Sequence, residues 1–78
     1  MTIKVFSTPT CPYCVTLKEF IKQHGFEFED IDVSKDDKAR EEMVQKSGQM
    51  GVPVVEIDGK IIIGFDKAKI CKLLNIRT

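Results

Sequence analysis

The chain has 78 residues, and its twelve basic and twelve acidic residues leave no formal net charge. That length accommodates one domain and no second, so we expect a single domain over residues 1–78. A neutral chain without a basic stripe gives no reason to expect nucleic acid or a membrane surface as a partner. The longest purely apolar run, residues 61–63, is far too short to span a bilayer.

The cysteine content indicates a reducing compartment. Three cysteines are an odd number and do not form a disulfide scaffold. The first residues lack the apolar segment of a signal peptide. We therefore expect a cytoplasmic protein whose thiols stay reduced, and we expect it to be a monomer.

The first half of the chain alternates between strand and helix patterns. The apolar run Ile3 to Phe6 predicts a buried strand, and a helix follows from Pro12 to residue 23 or 24. Gly25 supplies the left-handed residue that commonly ends a helix. An imperfect alternation of apolar and acidic residues predicts a second strand over residues 27–31. A strand-helix-strand unit of this kind implies a parallel pair of strands with a right-handed crossover.

The second half of the chain adds a helix, a hairpin and a last helix. Ser34 is the predicted N-cap of a helix that runs to about Lys46, where Gly48 ends it. Strands are predicted over residues 54–57 and 60–63, joined by the hairpin signal Asp58-Gly59. Asp66 is the predicted cap of the last helix, with an inward row of Ile70, Leu73 and Leu74. The order is β-α-β-α-β-β-α, a mixed four-stranded sheet flanked by three helices.

The motif C-P-Y-C at residues 11–14 carries the chemistry. A helix N-terminus offers free N–H groups and a partial positive charge, and both stabilise a thiolate at Cys11. Pro12 suits the first helical position. Cys14 lies one turn into the helix, on the side of Leu17 and Ile21, and should be partly covered. This asymmetry predicts that Cys11 attacks a disulfide and that Cys14 resolves the intermediate.

Other interpretations of the motif are weaker. A structural disulfide closing so short a loop would stabilise little. Zinc needs four ligands as a rule, and the other candidates, His24 and Cys71, each stand alone, so we expect no metal. His24 is interpreted as a residue of the helix C-terminus. Cys71 is interpreted as a boundary residue without a role, the alternative being a regulatory or dimer-forming thiol.

Three motifs together resemble a glutaredoxin: C-P-Y-C, Gly51-Val52-Pro53, and Gly64-Phe65-Asp66 before the last helix. The resemblance extends from Ile3 to about Leu74. It implies the α/β thioredoxin-like fold with strand order 2-1-3-4. It also implies a cis Val52–Pro53 bond beside Cys11 and dithiol–disulfide exchange as the activity.

The same resemblance implies roles for individual residues. Cys11 matches the catalytic nucleophile, and Cys14 matches the resolving thiol. Glutathione is implied as co-substrate, with no bound cofactor, and its site is implied at Tyr13, Val52, Pro53 and Asp66. In this site Val52 pairs through its main chain with the glutathione cysteine, and Asp66 holds the γ-glutamyl end. Supporting positions are Pro12 and Gly64.

The sequence departs from the family pattern at three positions. Thr8 stands where a lysine often binds the glycyl carboxylate, Gly51 replaces the usual threonine, and Phe65 replaces the second glycine of a pair. Lys46 would supply the missing charge if its turn faced the site. The expected partners are glutathione and disulfide-containing proteins. The leading alternative is a redoxin that donates electrons to ribonucleotide reductase and is recharged by thioredoxin reductase. A minor one is a metal or iron–sulfur binding module.

Overall fold

The computed structural model of the protein describes residues 2–76. Residues 1, 77 and 78 of the predicted single domain lie outside this part. The elements are, in chain order, β1 (Ile3–Ser7), α1 (Pro12–Gln23), β2 (Glu29–Asp32), α2 (Asp37–Ser47), β3 (Val54–Ile57), β4 (Lys60–Ile63) and α3 (Lys67–Leu74). No helix within the described residues is long and apolar enough to cross a membrane.

The four strands form one mixed sheet in the order β2-β1-β3-β4. β1 pairs in parallel with β2 and antiparallel with β3, and β3 pairs antiparallel with β4. The predicted element order, the sheet order and the parallel first pair are therefore confirmed. β1 lies inside the sheet with a hydrogen-bonded neighbour on each side.

The sheet is covered on both faces, because alternate residues of each strand point in opposite directions. One face packs against α1 and α3 and contains the larger cluster, Ile3, Val5, Leu17, Ile21, Val55, Ile57, Ile62, Ile70 and Leu74. The other face packs against α2 and contains Phe6, Val33, Met43 and Val54. Burial of this apolar surface is the main favourable contribution to folding.

The hairpin between β3 and β4 has the predicted turn. Asp58 and Gly59 have φ values of 48° and 83°. Positive φ at both central residues defines the turn type that matches the twist of paired strands, and Asp-Gly is among its preferred sequences. The predicted strand bounds on either side of this turn are confirmed.

The start of α2 differs from the prediction. Its N-cap is Asp36, whose Oδ1 accepts a hydrogen bond from the N–H of Ala39 at 3.1 Å. Ser34 instead binds the side chain of Asp32, with its N–H 2.9 Å from Oδ1. The predicted cap at Ser34 is therefore wrong, because β2 extends to Asp32 and the residues after it form a turn before the helix begins.

Two smaller differences concern β2 and α3. β2 spans residues 29–32 rather than 27–31, so its start lies two residues later. In α3, Ile70 and Leu74 are buried as predicted, whereas Leu73 is half-buried at the margin of the core. A spacing of four residues keeps two side chains on one helix face, and Leu73 lies beside that face.

The capping role of Asp36 is testable by Asp36→Ala. The substitution should lower the free energy of unfolding by about 1 kcal/mol, because the N–H of Ala39 loses its acceptor. Asp37→Ala is the matched control, since it also removes one acidic side chain from the first turn. Its ion pair with Arg40 is exposed and contributes little. Urea titrations of both variants would contradict the assignment if the two losses were equal.

Candidate active site

Cys11 is the N-cap of α1, at the end of the loop that follows β1. Its backbone is extended, with φ −93° and ψ 109°, and its Sγ accepts a hydrogen bond from the N–H of Cys14 at 3.1 Å. Pro12 occupies the first turn, as predicted. The sulfur of a half-exposed residue thus lies at the positive end of a helix, where negative charge is stabilised.

Cys14 has the opposite environment. It is fully buried on the face of α1 that also carries Leu17 and Ile21. Burial raises the pKa of the Cys14 thiol to about 11, and its hydrogen bond with Cys11 contributes in the same direction. Both cysteines carry free thiols. One turn of helix therefore holds an accessible capping sulfur and a covered thiol that keeps its proton at neutral pH.

The loop before β3 lies beside the loop that leads from β1 to Cys11. β3 begins at Val54, which pairs with Phe6 of β1, so Val52 and Pro53 lie alongside the residues that follow β1. The Val52–Pro53 bond is cis, as the resemblance implied. Within residues 2–76, neither peptide group of Val52 takes part in a hydrogen bond. An extended peptide could therefore pair with the main chain here.

Gln49 fixes the conformation of this loop. Its amide nitrogen donates to the carbonyl of Gly51 at 3.0 Å, and its amide oxygen accepts from the N–H of Gly51 at 2.5 Å. The side-chain Oγ of Ser47 accepts a hydrogen bond from the backbone N–H of Gln49 at 3.4 Å. Sequence reasoning missed Gln49. Its only signal is an amide side chain two residues before a glycine, and such side chains also occur on ordinary surfaces.

Gly64 connects the end of β4 to the same loop. Its N–H donates to the carbonyl of Pro53 at 2.8 Å, and its φ is 76°. A side chain at this φ would strain the backbone, which accounts for glycine at the position. Asp66 follows as the N-cap of α3, and one oxygen accepts from the N–H of Lys69 at 3.2 Å. Its side chain remains 39% exposed.

The implied site residues thus meet at one end of the sheet. The loop after β1, the loop before β3 and the segment after β4 all begin or end there, because Phe6, Val54 and Ile63 pair across the sheet. Tyr13, in the first turn of α1, belongs to the same end and is 68% exposed.

Lys46 does not face this end of the sheet. Its Nζ lies 2.5 Å from Oε1 of Glu56 and 3.5 Å from Oε2 of Glu42. Glu56 is only 8% exposed and lies along β3 beyond Val54, further from the loop. Lys46 is therefore paired with Glu56 and Glu42, and it does not supply the positive charge that is missing at Thr8.

The remaining two candidates lie outside the site. His24 is the exposed C-cap residue of α1, and its ring meets the edge of Phe20 with a centroid separation of 4.6 Å. Cys71 is half-buried on α3. Within residues 2–76, no cluster of three His, Cys, Asp or Glu side chains is placed to hold one metal ion.

A pocket of about 260 Å³ adjoins the site on the face covered by α1. Its charged centre is an ion pair between Lys18 of α1 and Asp30 of β2, with Nζ and Oδ1 2.9 Å apart. The hydroxyl of Ser7 donates to the same oxygen at 3.1 Å. The rest of the lining is formed by Thr8, Pro9 and Asp32. Sequence reasoning missed Lys18, although its spacing of four residues from Cys14 was a usable signal.

The fold and the cysteine pair define the class of the protein: a thioredoxin-fold protein with a thiol redox function. Residues 3–62 match the sequence model of the family described as Glutaredoxin. The chain therefore belongs to the glutaredoxin family, whose members are thiol–disulfide oxidoreductases. The recognition made from three short motifs is confirmed.

Three similar proteins illustrate the relationship. An uncharacterized glutaredoxin-like 8.6 kDa protein of the rubredoxin operon in Clostridium pasteurianum is 54% identical over 73 residues, covering 94% of this chain and 97% of that protein. A mutant of the thioredoxin-like protein BC3987 has 39% identity, a TM-score of 0.92 and 97% coverage of both chains. A buckwheat glutaredoxin crystallised with glutathione has 31% identity and a TM-score of 0.77, covering 95% of this chain and 74% of that one.

The contrast between the two thiols predicts selective alkylation. Near neutral pH, iodoacetamide should modify Cys11 and spare Cys14, because a thiol of pKa about 11 is roughly one part in ten thousand thiolate there. Raising the pH toward that pKa should bring Cys14 into the reaction. Peptide mapping by mass spectrometry measures both sites, and the urea-unfolded protein is the control. Equal modification of the two residues in the folded protein would contradict the assignment.

Proposed function

We propose that the protein is a glutathione-dependent thiol–disulfide oxidoreductase that reduces protein disulfides and glutathione mixed disulfides through Cys11 and Cys14. The observation that carries the proposal is the position of Cys11, a half-exposed sulfur that caps α1 one turn before a buried second thiol. The odd number of cysteines fits a reducing cytoplasm, where we place the protein.

The reaction begins at Cys11. Its thiolate attacks one sulfur of the substrate disulfide, a new S–S bond forms to Cys11, and the other substrate sulfur leaves as a thiolate that takes a proton. Glutathione then attacks this mixed disulfide from outside, or Cys14 attacks it from within. The first route needs one cysteine, and the second needs both and ends in a Cys11–Cys14 disulfide.

The glutathione site is formed by the loops around Cys11. The two peptide groups of Val52 pair with the cysteine part of glutathione, since they make no hydrogen bond within residues 2–76. Pro53 and Gly64 hold that segment through the hydrogen bond between them. Asp66 offers a partly exposed carboxylate to the γ-glutamyl amino group, and Tyr13 borders the site. The likeness to a glutaredoxin crystallised with glutathione supports this arrangement.

Because the two routes need different cysteines, mutation of each cysteine should affect them differently. Cys11→Ser should abolish reduction of every disulfide, because it removes the attacking sulfur. Cys14→Ser should impair reduction of protein disulfides more than reduction of glutathionylated substrates, since only the former need a resolving thiol. Steady-state assays with one substrate of each kind measure this. Cys71→Ser is the matched thiol control and should leave both activities and the monomer mass unchanged. Equal losses of Cys14→Ser on both substrates would contradict the two-route mechanism.

The alternative is a redoxin that passes electrons to ribonucleotide reductase and is recharged by thioredoxin reductase. The departures from the family pattern favour it: Thr8 carries no positive charge for a glycyl carboxylate, and Lys46 is held by Glu56. An ion pair at a partly exposed site contributes on the order of 1 kcal/mol or less, a factor of about five in binding. Glutathione binding is thus weakened without being abolished, and for this reason we rank the redoxin second.

The electron source is therefore a direct test. Glutathione with glutathione reductase should reduce the oxidised protein with weak saturation, and Thr8→Lys should tighten that saturation several-fold by adding a partner for the carboxylate. Thr10→Lys adds the same charge to the same loop and should have a smaller effect. Thioredoxin reductase is assayed separately. Rapid reduction by thioredoxin reductase with little response to glutathione would overturn the glutathione dependence and favour the redoxin.

A further inference from the structure

Lys18 and Asp30 form an ion pair that joins α1 to β2, one helical turn after the resolving thiol. Lys18 follows Cys14 by four residues on α1, so the two side chains lie on the same helix face. The Lys18 side chain is only 21% exposed, because it is held between α1 and the sheet. Its partner Asp30 is bound a second time by the hydroxyl of Ser7, a residue that is 1% exposed. The ammonium group therefore has a fixed position beside the site.

We propose that this pair controls the resolving step: the ammonium group of Lys18 stabilises the Cys14 thiolate that attacks Cys11, and Asp30 and Ser7 hold Lys18 in place. The inference rests on the proposed function. Lys18 acts through Cys14 and is a positioning residue, since it contacts neither substrate nor the bond that is exchanged.

The resolving step shows why a cation is needed. In the mixed disulfide, the Cys14 thiol gives its proton to water, and the thiolate attacks Sγ of Cys11. The Cys11–Cys14 bond forms, the bond between Cys11 and the substrate sulfur breaks, and the substrate leaves as a thiolate that takes a proton. The substrate gains the two electrons that the dithiol loses. Burial opposes the intermediate Cys14 thiolate, because a charge in an apolar environment lacks solvation.

The charge of Lys18 opposes that effect of burial. Desolvation is the largest cause of the raised pKa of Cys14. A backbone hydrogen bond with Thr8 lowers this pKa, and the positive charge of Lys18 lowers it further by the smallest of the contributions. The titratable and charged groups that bear on Cys14 are Cys11 and Lys18 on α1, with Asp30 and Asp32 facing Lys18 from β2. Once Cys11 is in a mixed disulfide, its own thiol no longer contributes. Lys18 is then the cation that acts on the resolving sulfur.

Removal of the Lys18 charge changes the rate of the resolving step in two opposite ways, through the thiolate fraction of Cys14 and through the nucleophilicity of that thiolate. Because Lys18 makes the smallest of these contributions, we expect its removal to raise the pKa of Cys14 modestly and to lower the thiolate fraction near neutral pH about threefold. The more basic thiolate is somewhat more nucleophilic, which offsets part of that loss. The net result is a resolving step that is about twofold slower, and the difference should shrink as the pH approaches the pKa of Cys14.

The experiment is a rapid-mixing reaction of the reduced protein, carrying Cys71→Ser, with the uncharged disulfide dithiodipyridine. Attack by Cys11 releases the first pyridinethione, and attack by Cys14 releases the second. Lys18→Met should leave the first phase unchanged and slow the second about twofold near neutral pH. Lys18→Arg, which keeps the charge, should restore the second phase. Lys22→Met removes a charge one turn further along α1 and is the matched control, with both phases unchanged.

The outcomes distinguish this inference from the proposed function. Absence of the first phase in the parent protein would overturn the role of Cys11 and with it the whole mechanism. If the first phase is normal and the rate of the second phase is unchanged by Lys18→Met, only the role of Lys18 is overturned. Equal slowing of both phases, or a slowing that stays constant at all pH values, would show that Lys18 only supports the fold. Failure of Lys18→Arg to restore the rate would likewise refute a role of the charge.

Discussion

The position of β1 is the constraint on which the site depends. This strand is hydrogen-bonded on both sides, and its residues are packed on both faces of the sheet. Its carboxyl end is therefore fixed, and α1 begins a few residues later with Cys11 as its cap. The face of α1 that meets the sheet carries Cys14, so packing of the core decides which cysteine is covered. Two identical side chains acquire different chemistry because one turn of helix separates a capped end from a buried face.

Local signals predicted the elements whose boundaries are set by nearby residues. Asp58-Gly59 determined the hairpin, because few other residues accept positive φ at two successive positions. Asp66 was recognised as a cap because no competing residue precedes α3. Ser34 and Asp36 are both good caps, and local propensity does not choose between them. The choice depends on where β2 ends, which is a property of the pairing with β1.

The site was predictable where the chemistry resides in one short segment. The spacing of Cys11 and Cys14 at a helix start indicated thiol chemistry, whereas the cis Val52–Pro53 bond came from family resemblance and is seen in the structure. The two ion pairs of Lys46 and Lys18 were beyond sequence reasoning. Each joins a helix to a strand distant in sequence, and each depends on which strand residues face that helix.

These two ion pairs join helices to opposite faces of the sheet, and they differ in how deeply the carboxylate is buried. On the face covered by α2, Glu56 is nearly buried, and its partner Lys46 compensates a carboxylate that would otherwise be costly to bury. On the face covered by α1, Asp30 is half exposed and does not itself require a partner. Its lysine instead lines a pocket beside the loop that leads to Cys11, four residues after Cys14 on α1. The first pair therefore serves the stability of the sheet, and the second is the one placed to act on the chemistry of Cys14.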